Sequence, residues 1–183
     1  KTPPLIIPIS ASQLFSFYSE NLPQRAVDGI SRKIGRSGNS MSGKQNSYVA
    51  IVDDDESVCR SFARLLRTVG YQSVTYQSAE AFLGDSKRPH FDCLVLDLQL
   101  QGISGLELRR RLAAVNDFTP VIFITAQDNP EQRSEVEASG CAGYFRKTDP
   151  GSTVLEAIGQ AVHHAEMLAN EAHSESPKQN SGG

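Results

Sequence analysis

From Tyr48 onward, short runs of β-branched and other apolar residues alternate with longer segments of helical periodicity. Parallel strands need long crossover connections, which are usually helices, so this alternation is typical of a parallel sheet covered on both faces. The best strand run, residues 49–52, is continuously apolar rather than alternating, as expected for a strand buried on both sides. The pattern predicts an α/β fold of five strands and five helices.

The predicted elements follow one another closely along the chain. The strands are predicted at residues 49–52, 74–76, 93–96, 121–124 and 144–145, and the later helices at about 106–112, 130–139 and 154–165. Gly70 closes the first helix and Ser78 caps the second. Asp149 is the candidate cap of the last helix, with Pro150 in its first turn. Glu107 and the arginines at 109–111 are predicted to form an exposed helical face.

The 183 residues suit one domain of ordinary size with flanking segments. Residues 1–47, with a Pro-rich opening and a Gly- and Ser-rich end, are predicted to be a flexible extension and linker. Met41 is a candidate natural start, which would make residues 1–40 an upstream extension. We expect the domain at residues 48–170, a disordered tail at 171–183 and no output domain in this chain.

Composition narrows the classes of function. Hydrophobic residues make up 39% of the chain, and no long apolar run suggests a membrane span, so we expect no membrane partner. The net charge is −3, but residues 1–48 carry six Lys/Arg and two Asp/Glu, which leaves −7 on the remainder. An acidic domain argues against nucleic acid as a direct ligand. The three cysteines form no C-x-x-C pair, and reduced thiols in the cytoplasm are predicted.

Polar side chains occur where four of the predicted strands end. Asp53 and Asp54 follow the first strand, Asp97 the third, Thr125 the fourth and Lys147 the fifth. The carboxyl ends of parallel strands meet at one edge of a sheet, where α/β folds bind ligands. We therefore expect these five residues to converge on one pocket.

A cluster of carboxylates is stabilised by a bound cation. Asp53, Asp54 and Asp97 would raise one another's pKa unless a hard metal ion compensated their charge, and Mg²⁺ is the natural choice. The run of three aspartates allows a second register, with Asp54 and Asp55 as the pair. We favour Asp53 and Asp54, because Asp55 then begins the helix, where the dipole favours an anion.

Four segments resemble the successive motifs of response-regulator receiver domains. They are IVDDD at 51–55, LVLDLQLQGISGLEL at 94–108, FITA at 123–126 and YFRK at 144–147, and the resemblance covers roughly residues 48–165. It implies a flavodoxin-like, doubly wound sheet with strand order 2-1-3-4-5. It also implies phosphorylation of Asp97 by a sensor histidine kinase or a histidine phosphotransfer protein.

The resemblance also implies roles for individual residues. Asp54, Asp97 and the backbone carbonyl of Gln99 would ligate Mg²⁺ directly, and Asp53 would act through water.

By the same resemblance, Lys147, the Thr125 hydroxyl and the Ala126 N–H would bind the phosphoryl oxygens. Movement of Thr125 towards phosphorylated Asp97 would let the Tyr144 ring turn inward. This would change the face formed by the fourth helix, fifth strand and fifth helix, which we expect to contact a downstream protein target.

The sequence departs from the family's pattern after the lysine, where Thr148 replaces the usual proline, and at Gln101. A cis bond before a residue other than proline costs about 2.5–4 kcal/mol. The Lys147–Thr148 bond is therefore predicted to be trans, or cis with strain.

Two other classes of function fit these residues less well than the receiver does. A pseudo-receiver that binds partners without phosphate would not need the acidic pocket, and the chain could also be the input half of a DNA-binding regulator. A phosphatase of the aspartyl-phosphate type would need a second aspartate, which Leu98 and Gln99 do not supply. We expect no enzyme beyond the domain's own Mg²⁺-dependent phosphotransfer and autodephosphorylation.

Overall fold

The computed structural model describes residues 47–174, and side chains through residue 167. Five strands form one parallel sheet in the order β2-β1-β3-β4-β5, which is the order that the family resemblance implies. The predicted extension and linker at 1–47 lies outside the described residues except for its last residue, and so do residues 175–183 of the predicted tail.

Strands and helices alternate along the chain. The strands are β1 (Tyr48–Val52), β2 (Gln72–Tyr76), β3 (Cys93–Asp97), β4 (Val121–Thr125) and β5 (Gly143–Arg146). The helices are α1 (Glu56–Thr68), α2 (Ala79–Gly84), α3 (Gly105–Ala114), α4 (Pro130–Ala138) and α5 (Gly151–Ser174). The last helix therefore continues past the predicted domain boundary at residue 170, and residues 171–174 are helical rather than part of a tail. No helix within residues 47–174 is long and apolar enough to cross a membrane.

The hydrophobic core has two layers, one on each face of the sheet. Along β1, Val49 and Ile51 pack in the layer that contains residues of α1 and α5. Ala50 and Val52 pack in the layer that contains residues of α2, α3 and α4. Because side chains alternate between faces and both faces are covered, the central strands are apolar at every position except their last residues, Asp97 of β3 and Thr125 of β4.

Ser78 caps α2 where the sequence predicts, but the predicted Asp149 cap of α5 is wrong: the Asp149 carboxylate accepts from the Arg146 N–H at 2.8 Å, and the helix begins at Gly151. Ser78 accepts a hydrogen bond from the Ala81 N–H at 3.1 Å at the start of α2. Gly70 follows the end of α1 with a φ of +93°, a left-handed conformation that favours glycine. The first turn of α1 is capped by Asp55, whose carboxylate accepts from the Ser57 N–H at 2.7 Å.

One predicted surface is wrong. Arg109 was expected on the exposed face of α3, but only 2% of the residue is exposed. Arg110 and Arg111 do lie on the surface, where they form ion pairs with Glu135 and Glu107. Arg109 is buried because it lies one helical turn from Gly105 and Leu112 on the buried side of α3, which a run of three charged residues does not reveal.

Candidate functional site

The strand pairing brings the predicted site residues to one edge of the sheet. In β1 and β3, Val52 pairs with Leu96, so the aspartates that follow each strand end side by side. On the other side of β3, Asp97 pairs with Ile124 of β4. The Lys147 N–H donates to the Thr125 carbonyl at 2.7 Å, which extends β5 along β4. Parallel pairing in register is the reason that residues far apart in sequence meet.

Three carboxylates cluster at this edge. Asp53, Asp54 and Asp97 each offer an oxygen, and these oxygens lie within 4.8 Å of one another. Asp53 and Asp97 are buried, while Asp54 is exposed at the mouth of the site. Asp55 caps α1 and is not part of this cluster. The structure therefore groups Asp53 and Asp54, the pair favoured from the sequence, with Asp97.

Lys147 reaches into the cluster from β5. Its Nζ lies 2.8 Å from Asp97 Oδ2 and 2.9 Å from Asp53 Oδ2. Burial opposes the charged form of Lys147, but the hydrogen bonds that its ammonium donates to Asp97 and Asp53 outweigh burial and raise the lysine pKa. The Lys147–Thr148 peptide is trans, one of the two predicted geometries, and in this geometry the ammonium lies between the two carboxylates.

The Asp53 carboxylate is fully buried, and burial raises its pKa despite opposing hydrogen bonds from Lys147 and the Asp55 N–H. Oδ1 accepts from the Asp55 N–H at 2.9 Å. Oδ2 accepts no well-aligned hydrogen bond, although the Lys147 ammonium is close. A buried carboxylate oxygen left without a full partner, beside two further carboxylates, suits a hard cation that takes oxygen ligands.

Backbone hydrogen bonds fix the Asp97 carboxylate and the loop that follows β3. The Gln99 N–H donates to Asp97 Oδ1 at 3.0 Å, and the Leu98 N–H donates to the Ile124 carbonyl at 3.0 Å. A Cβ placed on Gly105 would lie 2.1 Å from the Asp97 carbonyl oxygen, which no side chain tolerates. Glycine at the start of α3 is therefore what allows the helix to lie against the end of β3. The role of the Gln99 carbonyl as a ligand stays a prediction.

Thr125 is fully buried at the end of β4. Its hydroxyl donates to the Gln127 carbonyl at 2.8 Å and accepts from the Gln127 N–H at 3.2 Å. The hydroxyl is thus engaged with the β4–α4 loop in this structure. Ala126, the next residue, is exposed.

Tyr144 of β5 is buried and belongs to a small polar cluster that sequence reasoning missed. Its hydroxyl donates to Asp128 Oδ1 over a long 3.4 Å, and the Arg133 guanidinium lies 4.9 Å above the ring centroid. Arg133 also donates to both Asp128 oxygens, at 2.9 and 2.8 Å. We call Asp128, Arg133 and Tyr144 the loop cluster. No periodicity or spacing joins a loop, a helix and a strand, so the sequence carried no signal for it.

Comparisons with known proteins agree on one family. Residues 49–159 match the response regulator receiver domain. Response regulator protein TmoT of Ectopseudomonas mendocina is 31% identical over 128 residues, which are 70% of this chain and 58% of TmoT. Transcriptional regulatory protein FixJ of Rhizobium meliloti is 35% identical over 124 residues, 68% of this chain and 60% of FixJ. The chain thus spans somewhat more than half the length of these relatives.

Solved structures show the same fold. FixJ-N is 34% identical with a TM-score of 0.60, covering 66% of this chain and 96% of FixJ-N. A CheY-like receiver domain protein from Methanospirillum hungatei has a TM-score of 0.63 at 22% identity, covering 68% of this chain and 99% of that one.

Proposed function

This chain belongs to the response regulator receiver domain family of two-component signalling, and we propose that it accepts a phosphoryl group on Asp97 from a phosphohistidine. The donor is a sensor histidine kinase or a histidine phosphotransfer protein. One observation carries the proposal: the Asp97 carboxylate lies among two further carboxylates and 2.8 Å from the Lys147 ammonium.

The transfer needs little from the protein beyond position and charge. An Asp97 carboxylate oxygen attacks the phosphorus, the P–O bond forms, and the P–N bond breaks with its electron pair returning to the imidazole. The Lys147 ammonium, released in part from Asp97, pairs with a phosphoryl oxygen. The Thr125 hydroxyl and the Ala126 N–H supply further donors, once the hydroxyl turns away from Gln127.

The carboxylates fit a magnesium ion. Asp54, Asp97 and the Gln99 carbonyl would hold Mg²⁺ directly, and Asp53 through water. When bound, the ion neutralises charge that would otherwise build up between the phosphoryl group and the carboxylates. The Asp53 oxygen without a well-aligned donor supports this assignment.

The output is a changed protein surface. When Thr125 turns towards phosphorylated Asp97, its bonds to Gln127 break and the β4–α4 loop is free to shift. Tyr144 contacts that loop through Asp128, so the shift reaches the face formed by α4, β5 and α5. A downstream protein target in the cytoplasm recognises this face; neither nucleic acid nor membrane is a direct ligand.

The test is phosphorylation by a small donor. Incubation with acetyl phosphate and Mg²⁺, followed by intact-protein mass spectrometry, is expected to show one base-labile phosphoryl adduct. Asp97→Asn removes the acceptor and should abolish the adduct. Asp55→Asn is the matched control, because Asp55 is outside the carboxylate cluster and asparagine also caps helices. No adduct on the wild type, or an equal adduct on Asp97→Asn, would exclude the proposal.

A second candidate, the input part of a transcriptional regulator, is favoured by the match to FixJ. We propose that a natural protein containing this domain couples Asp97 phosphorylation to DNA binding by a separate segment. Fluorescence anisotropy with the natural full-length protein and its promoter DNA should then show tighter binding after phosphorylation, and no such change for Asp97→Asn.

A further inference from the structure

The β3–α3 loop, residues 98–104, follows the proposed acceptor Asp97 and contains an exposed turn. Gln101 and Gly102 of this turn face solvent, and Gly102 has a φ of +78°, in the left-handed region. The loop contains no proline. An exposed turn with a glycine and no proline has many accessible conformations, so its position depends on contacts with other elements.

One side chain of α2 reaches this turn. Glu80 Oε1 accepts a hydrogen bond from the Ile103 N–H at 2.9 Å. Among the hydrogen bonds of residues 47–167, this is the one that joins residues 100–103 to another helix or strand. The bond from Ile103 is also the largest cause of a lowered Glu80 pKa, so the carboxylate is charged at neutral pH.

Glu80 and the turn fit closely together. A Cβ placed on Gly102 would lie 2.5 Å from Glu80 Oε1, so the carboxylate occupies the space that a side chain would need. Glycine therefore serves both the left-handed backbone and the approach of the carboxylate. The contact is built into the shape of the turn.

The helix that carries Glu80 is itself fixed. Ser78 caps α2, and Ala79 and Phe82, on either side of Glu80 in the sequence, are buried in the core. The Glu80 side chain is exposed, but its backbone belongs to a packed element. A hydrogen bond from a packed helix restricts the conformations of the loop that donates it.

The position of the β3–α3 loop matters to the carboxylate cluster. The Gln99 N–H donates to Asp97 Oδ1 at 3.0 Å, and the Gln99 carbonyl is a predicted Mg²⁺ ligand. The Gly105 N–H donates to the Leu98 carbonyl at 3.3 Å, so both ends of the loop lie near Asp97. A ligand on a loose loop must be ordered when the metal binds, and this cost weakens binding.

We propose that Glu80 is a positioning residue, whose hydrogen bond from the Ile103 N–H holds the β3–α3 loop in the conformation that presents the Gln99 carbonyl to Mg²⁺. This role rests on the proposed function and adds to it a residue outside the carboxylate cluster. Glu80 acts through the loop backbone, so it governs the affinity for Mg²⁺ rather than the phosphorylation rate at saturating Mg²⁺.

The experiment compares the full chain with Glu80→Ala and Glu80→Gln by calorimetric titration with Mg²⁺. Glu80→Ala removes the acceptor and should raise the Mg²⁺ dissociation constant by about threefold to tenfold. Glu80→Gln removes the charge but keeps an acceptor oxygen, and should restore most of the affinity. The rate of labelling by acetyl phosphate at saturating Mg²⁺ should be similar in all three proteins. Hydrogen exchange at the Ile103 amide should be faster in Glu80→Ala.

A matched control separates positioning from surface charge. Glu131→Ala removes an exposed glutamate at the second position of α4, the position that Glu80 holds in α2, and should bind Mg²⁺ like the wild type. Equal Mg²⁺ affinities of wild type and Glu80→Ala, or equally weak binding by Glu80→Gln and Glu80→Ala, would overturn this role alone. A wild type that neither binds Mg²⁺ nor forms the phosphoryl adduct would overturn the proposed function as well.

Discussion

The Lys147 ammonium lies 2.8 Å from Asp97 Oδ2 and 2.9 Å from Asp53 Oδ2, so one cation from the end of β5 joins carboxylates from the ends of β3 and β1. In the metal-free protein, the Lys147 ammonium compensates the negative charge of the buried Asp53 and Asp97 carboxylates. Stability, metal binding and phosphotransfer are therefore coupled through this side chain.

Removal of Lys147 should destabilise the metal-free protein. Lys147→Gln leaves two buried carboxylates without a cation, and we expect a loss of about 3 kcal/mol in the free energy of unfolding. Mg²⁺ should recover part of this loss. Urea unfolding with EDTA and with Mg²⁺ measures both effects. Lys87→Gln, at an exposed lysine, is the control; similar losses in the two variants would contradict the coupling.

The aspartate register predicts which residue binds metal. Asp54→Asn should weaken Mg²⁺ binding by about tenfold or more, because it removes a charged ligand. Asp55→Asn should leave it unchanged, since Asp55 caps α1 and lies outside the cluster. Calorimetric titration with Mg²⁺ gives both dissociation constants. If Asp55→Asn weakened Mg²⁺ binding more than Asp54→Asn did, the metal would belong to the other register, with Asp54 and Asp55 as the pair.

The cysteines should be unreactive in the folded protein. Burial raises the pKa of Cys59 and Cys141 to about 11, and that of Cys93 to about 12. Each thiol thus stays protonated at neutral pH, and reaction with Ellman's reagent should be slow until the chain unfolds.

The same shifts predict a pH dependence of stability. A thiol pKa raised by folding contributes stability that is complete below the unfolded value of about 8.5 and is lost as the pH rises towards the folded value. As the pH rises from the unfolded pKa towards about 11, the free energy of unfolding of the wild type should therefore fall. It should fall less steeply for Cys141→Ser, which lacks this thiol. Identical slopes would contradict the burial of Cys141.

Gly105 should not accept a side chain. Gly105→Ala places a Cβ against the Asp97 carbonyl oxygen, which is backbone and cannot turn aside, and we expect a loss of about 2–3 kcal/mol. Gly84→Ala is the matched control, because a Cβ there meets nothing within 4 Å. Thermal unfolding compares the two. A stable Gly105→Ala protein would show that the β3–α3 loop is looser than described.

The loop cluster should control the ionisation of Tyr144. Burial and the Asp128 charge both raise the pKa of the phenol. Asp128→Asn removes the charge and should lower this pKa, while burial keeps it above the ordinary value. A ¹³C NMR titration of the tyrosine ring carbons measures the change, with Asp149→Asn as control. An unchanged titration would mean that Asp128 does not contact Tyr144 in solution.

Much of the fold and the membership of the carboxylate cluster could be predicted from sequence, because both depend on local pattern. The apolar run before Asp53 predicts a buried strand, and the residue after such a strand must lie at its carboxyl end. Since parallel strands share that edge, Asp53 and Asp97 were expected to meet without any knowledge of their contacts. The strand order followed from the family resemblance rather than from the pattern.

Tertiary structure decided which side chains are buried and which distant groups pair. The charged triplet at 109–111 predicts an exposed face, yet Arg109 lies on the buried side of α3 and its Nε–H has no hydrogen-bond partner. The contact of Tyr144 with Asp128 likewise depends on how a loop lies over β5. Periodicity reports the environment of one segment at a time, whereas these features arise where two segments pack, and that geometry exists only in the folded chain.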